Sequence, residues 1–109
     1  MGYVKMWAHL VWATKKREPV LNKDIRKKIV SHIRENALTK NIHIDFINGH
    51  VDHVHILTSL DADQPIGNII QLIKGESLFW INKNRLTPQK SEWQDDYFAV
   101  SVSESELKR

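Results

Sequence analysis

The chain has 109 residues, 41% of them apolar and 27% charged, which suits one domain around a single core and excludes two. No stretch approaches the roughly 18 apolar residues of a membrane span, Met1-Gly2-Tyr3-Val4-Lys5 carries no signal-peptide pattern, and the lack of cysteine excludes disulfides and thiolate metal sites. The net charge of +3 is weighted to the front half, through Lys15, Lys16, Arg17, Arg26, Lys27 and Lys28, a distribution that suits a polyanionic partner as well as a solvated surface; a cytoplasmic setting is the default expectation.

The first element expected is a strand from Tyr3 to Thr14, rich in aromatic and β-branched residues and closed by the turn Lys15-Lys16-Arg17-Glu18-Pro19. Met6, Ala8, Leu10 and Trp12 alternate with Trp7, His9, Val11 and Ala13, and both sets are apolar enough for a central strand. Asn22 reads as a helix N-cap, and Ile25, Ile29, Ile33 and Ala37 recur every four positions as one buried stripe that should fade by Asn41. Ile42, Ile44 and Phe46 then alternate with His43, Asp45 and Ile47 as a half-buried strand, and Asn48-Gly49 marks a turn. A strand over His53 to Leu57 completes a hairpin. Pro65 opens a second helix with Ile66, Ile69, Ile70, Ile73, Ser77 and Trp80 on one stripe. A last strand is expected from about Trp93 to Val102, and Ser103-Glu104-Ser105-Glu106 resembles the cap and acidic first turn of a third helix.

Strand, helix, strand, strand, helix, strand is the ferredoxin-like βαββαβ order, an α+β fold occupying residues 1–109 as a single domain. Right-handed crossovers put both helices on one face of a four-stranded antiparallel sheet, with the first and third strands central and the other face open.

His53 and His55 are two apart on the third strand, so they emerge on one face while Val54 and Ile56 point to the other. If the two aliphatic residues pack under the helices, the imidazoles stand on the open face and can converge on one divalent cation. The plain alternative is a pair of solvent-facing polar residues. Asp52 is expected as a turn or strand-entry residue, and His9 as a packed, hydrogen-bonded histidine with metal ligation as its alternative. Of the tryptophans, Trp12 and Trp80 read as core, and Trp7 as the one to be found on the open face, where it would stack on a base.

Four segments, in order and at suitable spacing, resemble the single-tyrosine HUH transposases of insertion sequences, including the REP-associated tyrosine transposases. The segments are His9-Leu10-Val11-Trp12-Ala13-Thr14-Lys15-Lys16-Arg17-Glu18-Pro19-Val20-Leu21, Asp52-His53-Val54-His55-Ile56-Leu57, Ile73-Lys74-Gly75-Glu76-Ser77, and Trp93 to Tyr97 continuing through Ser101-Val102-Ser103. The resemblance implies that His53 and His55 hold Mg²⁺ or Mn²⁺ and that the partner is single-stranded or hairpin DNA bound by a homodimer. Lys15, Lys16 and Arg17, after the first strand, and Lys74, in the family-like Lys-Gly segment, are the candidates to grip DNA phosphates, with a solvated surface as the alternative. The resemblance also implies a tyrosine nucleophile on the helix after the last strand. That position is expected just beyond Arg109, so Tyr3 and Tyr97 are read as structural, no catalytic residue is assigned within the sequence, and the 109-residue chain is expected to be inactive alone. Two readings from other classes compete: a non-catalytic ferredoxin-like module that binds single-stranded nucleic acid, and a small metal-sensing domain.

Overall fold

A computed structural model describes residues 6–60, 65–95 and 97–102. Its elements are β1 (Met6–Ala13), a 3-10 turn (Lys15–Arg17), α1 (Lys23–Thr39), β2 (His43–Gly49), β3 (His53–Leu60), α2 (Ile66–Lys83) and β4 (Phe98–Val102). All strand pairs are antiparallel in the order β2-β3-β1-β4, so the first and third strands are central. Tyr3 to Lys5 and the expected third helix from Ser103 lie outside the described residues.

One layer of core explains the arrangement. Ala8, Leu10 and Trp12 of β1 and Val54 and Ile56 of β3 are buried against Ile25, Ile29, Ile33 and Ala37 of α1 and Ile69, Ile70, Ile73 and Ile81 of α2. Both helices therefore cover the same side of the sheet. Asn22 caps α1, accepting a hydrogen bond from the Ile25 N–H at 3.0 Å. No helix among the described residues is long and apolar enough to cross a membrane.

Three local expectations change. The first is the period of β2. A bulge between Ile44 and Phe46 inserts one residue, which switches the side chains that follow to the opposite faces. Phe46 is consequently 53% exposed and Ile47, only 6% exposed, joins the core.

The second is the turn. Asn48 and Gly49 do not reverse the chain but stay in the ladder, opposite His55 and Val54. The reversal falls on Val51 and Asp52, with the His50 N–H bonded to the His53 carbonyl at 2.8 Å. Tertiary bonds hold it there: the Val51 carbonyl accepts from the Leu21 N–H at 2.9 Å and the Asp52 carbonyl from the Thr14 N–H at 2.8 Å.

The third is the last strand, which starts at Phe98 rather than Trp93. Trp93 forms only an isolated bridge with Thr14, because its ring turns into the core, edge-on to Trp12 at 6.2 Å, where Nε1 donates to Ser77 Oγ at 3.3 Å. The Lys74 ammonium donates to the Gln94 and Asp95 carbonyls at 2.7 and 3.3 Å and secures the detour before β4.

Candidate metal centre

Residues paired directly across an antiparallel sheet share a face. Val11 pairs with His55 and Phe98, His9 with Leu57 and Val100, and Ala13 with His53. None of these belongs to the set that packs under the helices, so the imidazoles of His9, His53 and His55 stand on the open face of the two central strands, as the alternation of β3 requires.

His53 and His55 each have one ring nitrogen occupied within the protein. The Asp52 carboxylate Oδ1 lies 2.6 Å from His53 Nδ1, and its Oδ2 accepts from Arg17 Nε at 3.1 Å. His53 Nδ1 is thereby the protonated nitrogen, and the Nε2 lone pair is left for a ligand, the carboxylate–histidine arrangement common behind bound metals. His55 Nδ1 lies 3.2 Å from His9 Nε2, one of the two donating to the other, which orients the His55 ring in the same way. The bond to His53, followed by the positive charge of Arg17, holds the Asp52 carboxyl below its usual range. Partial burial, reinforced by neighbouring histidines, pushes the His55 imidazole below its usual value, which favours the neutral form that a metal needs.

His50 was not expected as a ligand. The hairpin brings its ring into parallel stacking with His53, centroids 4.3 Å apart and planes 8° apart, and edge-on to His55 at 5.4 Å. His50, His53 and His55 each offer a ring nitrogen within 4.8 Å of the others. The sequence signal is the spacing His-x-x-His-x-His, which groups three rings only when the two residues after the first histidine form the turn.

The basic residues are placed as follows. Lys15, Lys16 and Arg17 form the exposed 3-10 turn at the end of β1. Lys16 and Arg17 adopt φ of 57° and 55°, a left-handed backbone uncommon for residues with side chains. Arg17 reaches Asp52, and Lys15 pairs with Glu92 at 2.8 Å. Lys74 is on the helix side of the sheet, at the segment before β4, with its ammonium 5.9 Å from the Tyr97 ring centre. The turn thus adjoins the histidine hairpin through Arg17, whereas Lys74 is apart from it.

Tyr97, one residue before Phe98, is drawn by Lys74 to the helix side, and the histidines lie on the other. Trp7 lies on the face of His9 and Val11, as expected, but is only 7% exposed, and the core expectation is corrected for Trp80, which is only partly buried and stacks on His32 at 4.0 Å. The exposed aromatics paired into the open face are Phe46 and Phe98, at 53% and 58%, both on outer strands. The central strands carry imidazoles there, which weakens the likeness to modules that stack bases on their inner strands.

The IS200-like transposase family model matches residues 3–109. The ISDra2 transposase TnpA of Deinococcus radiodurans is 28% identical over 115 residues, covering 95% of this chain and 79% of that protein. A Deinococcus radiodurans crystal structure assigned as a transposase superposes with a TM-score of 0.81 at 26% identity, over 99% of this chain and 88% of the other. A REP-associated tyrosine transposase bound to a REP hairpin shares the fold, with a TM-score of 0.67 at 16% identity; all of this chain aligns with 64% of that one. Matched over nearly its whole length by the family model, the chain belongs to the IS200-like transposases.

Proposed function

We propose that this transposase cuts and rejoins single-stranded DNA with the help of Mg²⁺ or Mn²⁺ held on the open sheet face by His53 and His55. The observation that carries the reading is the paired imidazoles on the central strand, each held through Nδ1 by Asp52 or His9. A divalent ion there would polarise the scissile phosphate and stabilise its developing charge. Lys15, Lys16 and Arg17, at the end of the strand beside that site, grip the flanking phosphates, and Lys74, on the helix side, contacts DNA away from the ion.

The attacking group is a tyrosine hydroxyl. Its oxygen bonds to phosphorus as the P–O3′ bond breaks, leaving a 5′-phosphotyrosine and a free 3′-OH, so the energy of the phosphodiester is conserved for rejoining. Tyr97 does not serve as nucleophile, because its ring is on the helix side and nucleophilic attack tolerates little misplacement. The working unit is a homodimer; β4 is an edge strand with Phe98 and Val100 exposed, a surface suited to a second copy.

The test adds labelled hairpin-forming single strands, with duplex of the same sequence as control, to a protein that carries the tyrosine-bearing helix expected after β4, followed by denaturing electrophoresis. Cleavage should require the divalent ion and both His53 and His55, and should be indifferent to Tyr97→Phe. Cleavage that survives chelation or the double histidine substitution would overturn the metal reading. A protease-sensitive adduct lost in Tyr97→Phe would overturn the placement of the nucleophile.

A further inference from the structure

We propose that His50 is a third metal ligand, so that the His50–His55 hairpin by itself forms a three-imidazole site selective for a borderline transition ion over Mg²⁺. The proposal rests on the assignment of His53 and His55 as ligands and extends it to a residue outside the histidine–hydrophobic–histidine pair. The three rings share one short segment, and their ligand nitrogens already lie within 4.8 Å of one another. Bonds of about 2.0–2.1 Å to one ion place nitrogens roughly 3–3.4 Å apart. Closing that difference requires the exposed His50 ring to turn out of its parallel stack on His53, whereas His53 and His55 are restrained by Asp52 and His9.

The backbone favours the same arrangement. His50 and His53 face each other across a two-residue turn whose carbonyls are bonded to Leu21 and Thr14, so the first and second ligands are at a set separation before any ion arrives. His53 and His55 alternate on one strand and supply the second and third. Three nitrogens from one side leave the remaining positions of the ion open for a phosphate oxygen and water.

The donor set decides the ion. Mg²⁺ prefers oxygen ligands and sheds its water reluctantly. Neutral imidazoles suit first-row transition ions, with affinity rising from Mn²⁺ through Co²⁺ to Ni²⁺ and Cu²⁺. The order of affinity is therefore Co²⁺ above Mn²⁺ above Mg²⁺, and His50 should enlarge the gap.

Co²⁺, Mn²⁺ and Mg²⁺ are titrated calorimetrically into the wild type, His50→Ala, His50→Gln and His53→Ala/His55→Ala, with Co²⁺ absorption spectra and thermal melts recorded on each. X-ray absorption at the cobalt edge counts imidazoles. The expected result is three imidazoles in the wild type and two in the His50 variants, a Co²⁺ affinity at least tenfold weaker in those variants, a smaller Co²⁺-to-Mg²⁺ ratio, and unchanged melting. His50 variants that keep wild-type Co²⁺ affinity and imidazole count, while the double variant loses binding, would overturn the third ligand and leave the proposed function standing. Undiminished Co²⁺ binding in the double variant would overturn both.

Discussion

Asp52→Ala separates the support of the proposed metal ligand His53 from the ligand itself. The carboxylate joins His53 Nδ1 at 2.6 Å to Arg17 Nε at 3.1 Å, so its removal frees one side of the His53 ring. The backbone at this point should stay in place, because the Thr14 N–H and hydroxyl bond to the Asp52 carbonyl, at 2.8 and 3.2 Å, and not to its side chain. Loss of such a partner behind a metal-bound histidine costs about 10- to 100-fold in affinity. With the backbone held by Thr14, the loss should fall near the lower end, about tenfold, with the melting temperature little changed. Asp52→Asn keeps an acceptor without the charge and should fall between the two. Calorimetric titration with Mn²⁺ reads the effect. An unchanged dissociation constant in Asp52→Ala would refute the role assigned to the carboxylate, and a loss as complete as that of His53→Ala would show that Asp52 binds the ion directly.

The β2 bulge is tested by Ile47→Ala, expected to cost about 2–5 kcal/mol as a buried truncation, against Phe46→Ala, expected within about 0.5 kcal/mol at an exposed site; urea midpoints that reverse this order would remove the bulge. Glu92 is held below the ordinary glutamate range chiefly by its bond to Lys15. Its folded-state value being lowered, the pair's contribution is present above the ordinary value and is lost as the pH falls through the lowered one. In Lys15→Met, an NMR titration should therefore show the Glu92 carboxyl moving up, and an unmoved value would show that the pair does not persist in solution. Replacing Lys15, Lys16 and Arg17 together with alanine should flatten the salt dependence of single-strand binding, with the log–log slope falling in magnitude by about 2 if all three neutralise phosphates. An unaltered slope would place the phosphate contacts elsewhere.

Ferredoxin-like order was legible because each long element carries its own period. The four-residue recurrence of Ile25, Ile29, Ile33 and Ala37 and the alternation of His53, Val54, His55 and Ile56 specify a helix face and a strand face wherever the chain folds. From the second of these, the side of the sheet on which the two histidines stand follows directly, since Val54 and Ile56 must be buried. Asn22 was legible as a cap for a similarly local reason, its side chain reaching a backbone N–H three residues on.

What the residues determined by themselves was therefore the element order, the buried stripes and the shared face of His53 and His55, all of which rest on contacts between near neighbours in the chain. Only the tertiary structure decided where those patterns break. Phe46 faces out because a bulge shifts one strand against another, and the turn passes from Asn48-Gly49 to Val51-Asp52 because Leu21 and Thr14 claim its carbonyls. Trp7 is covered and Trp93 is drawn into the core by packing that no local period encodes. The approach of His50 to His53, of Asp52 to Arg17 and of His9 to His55 has the same origin: the last two are pairs 35 and 46 positions apart, and their partners meet only when the strands have found their register.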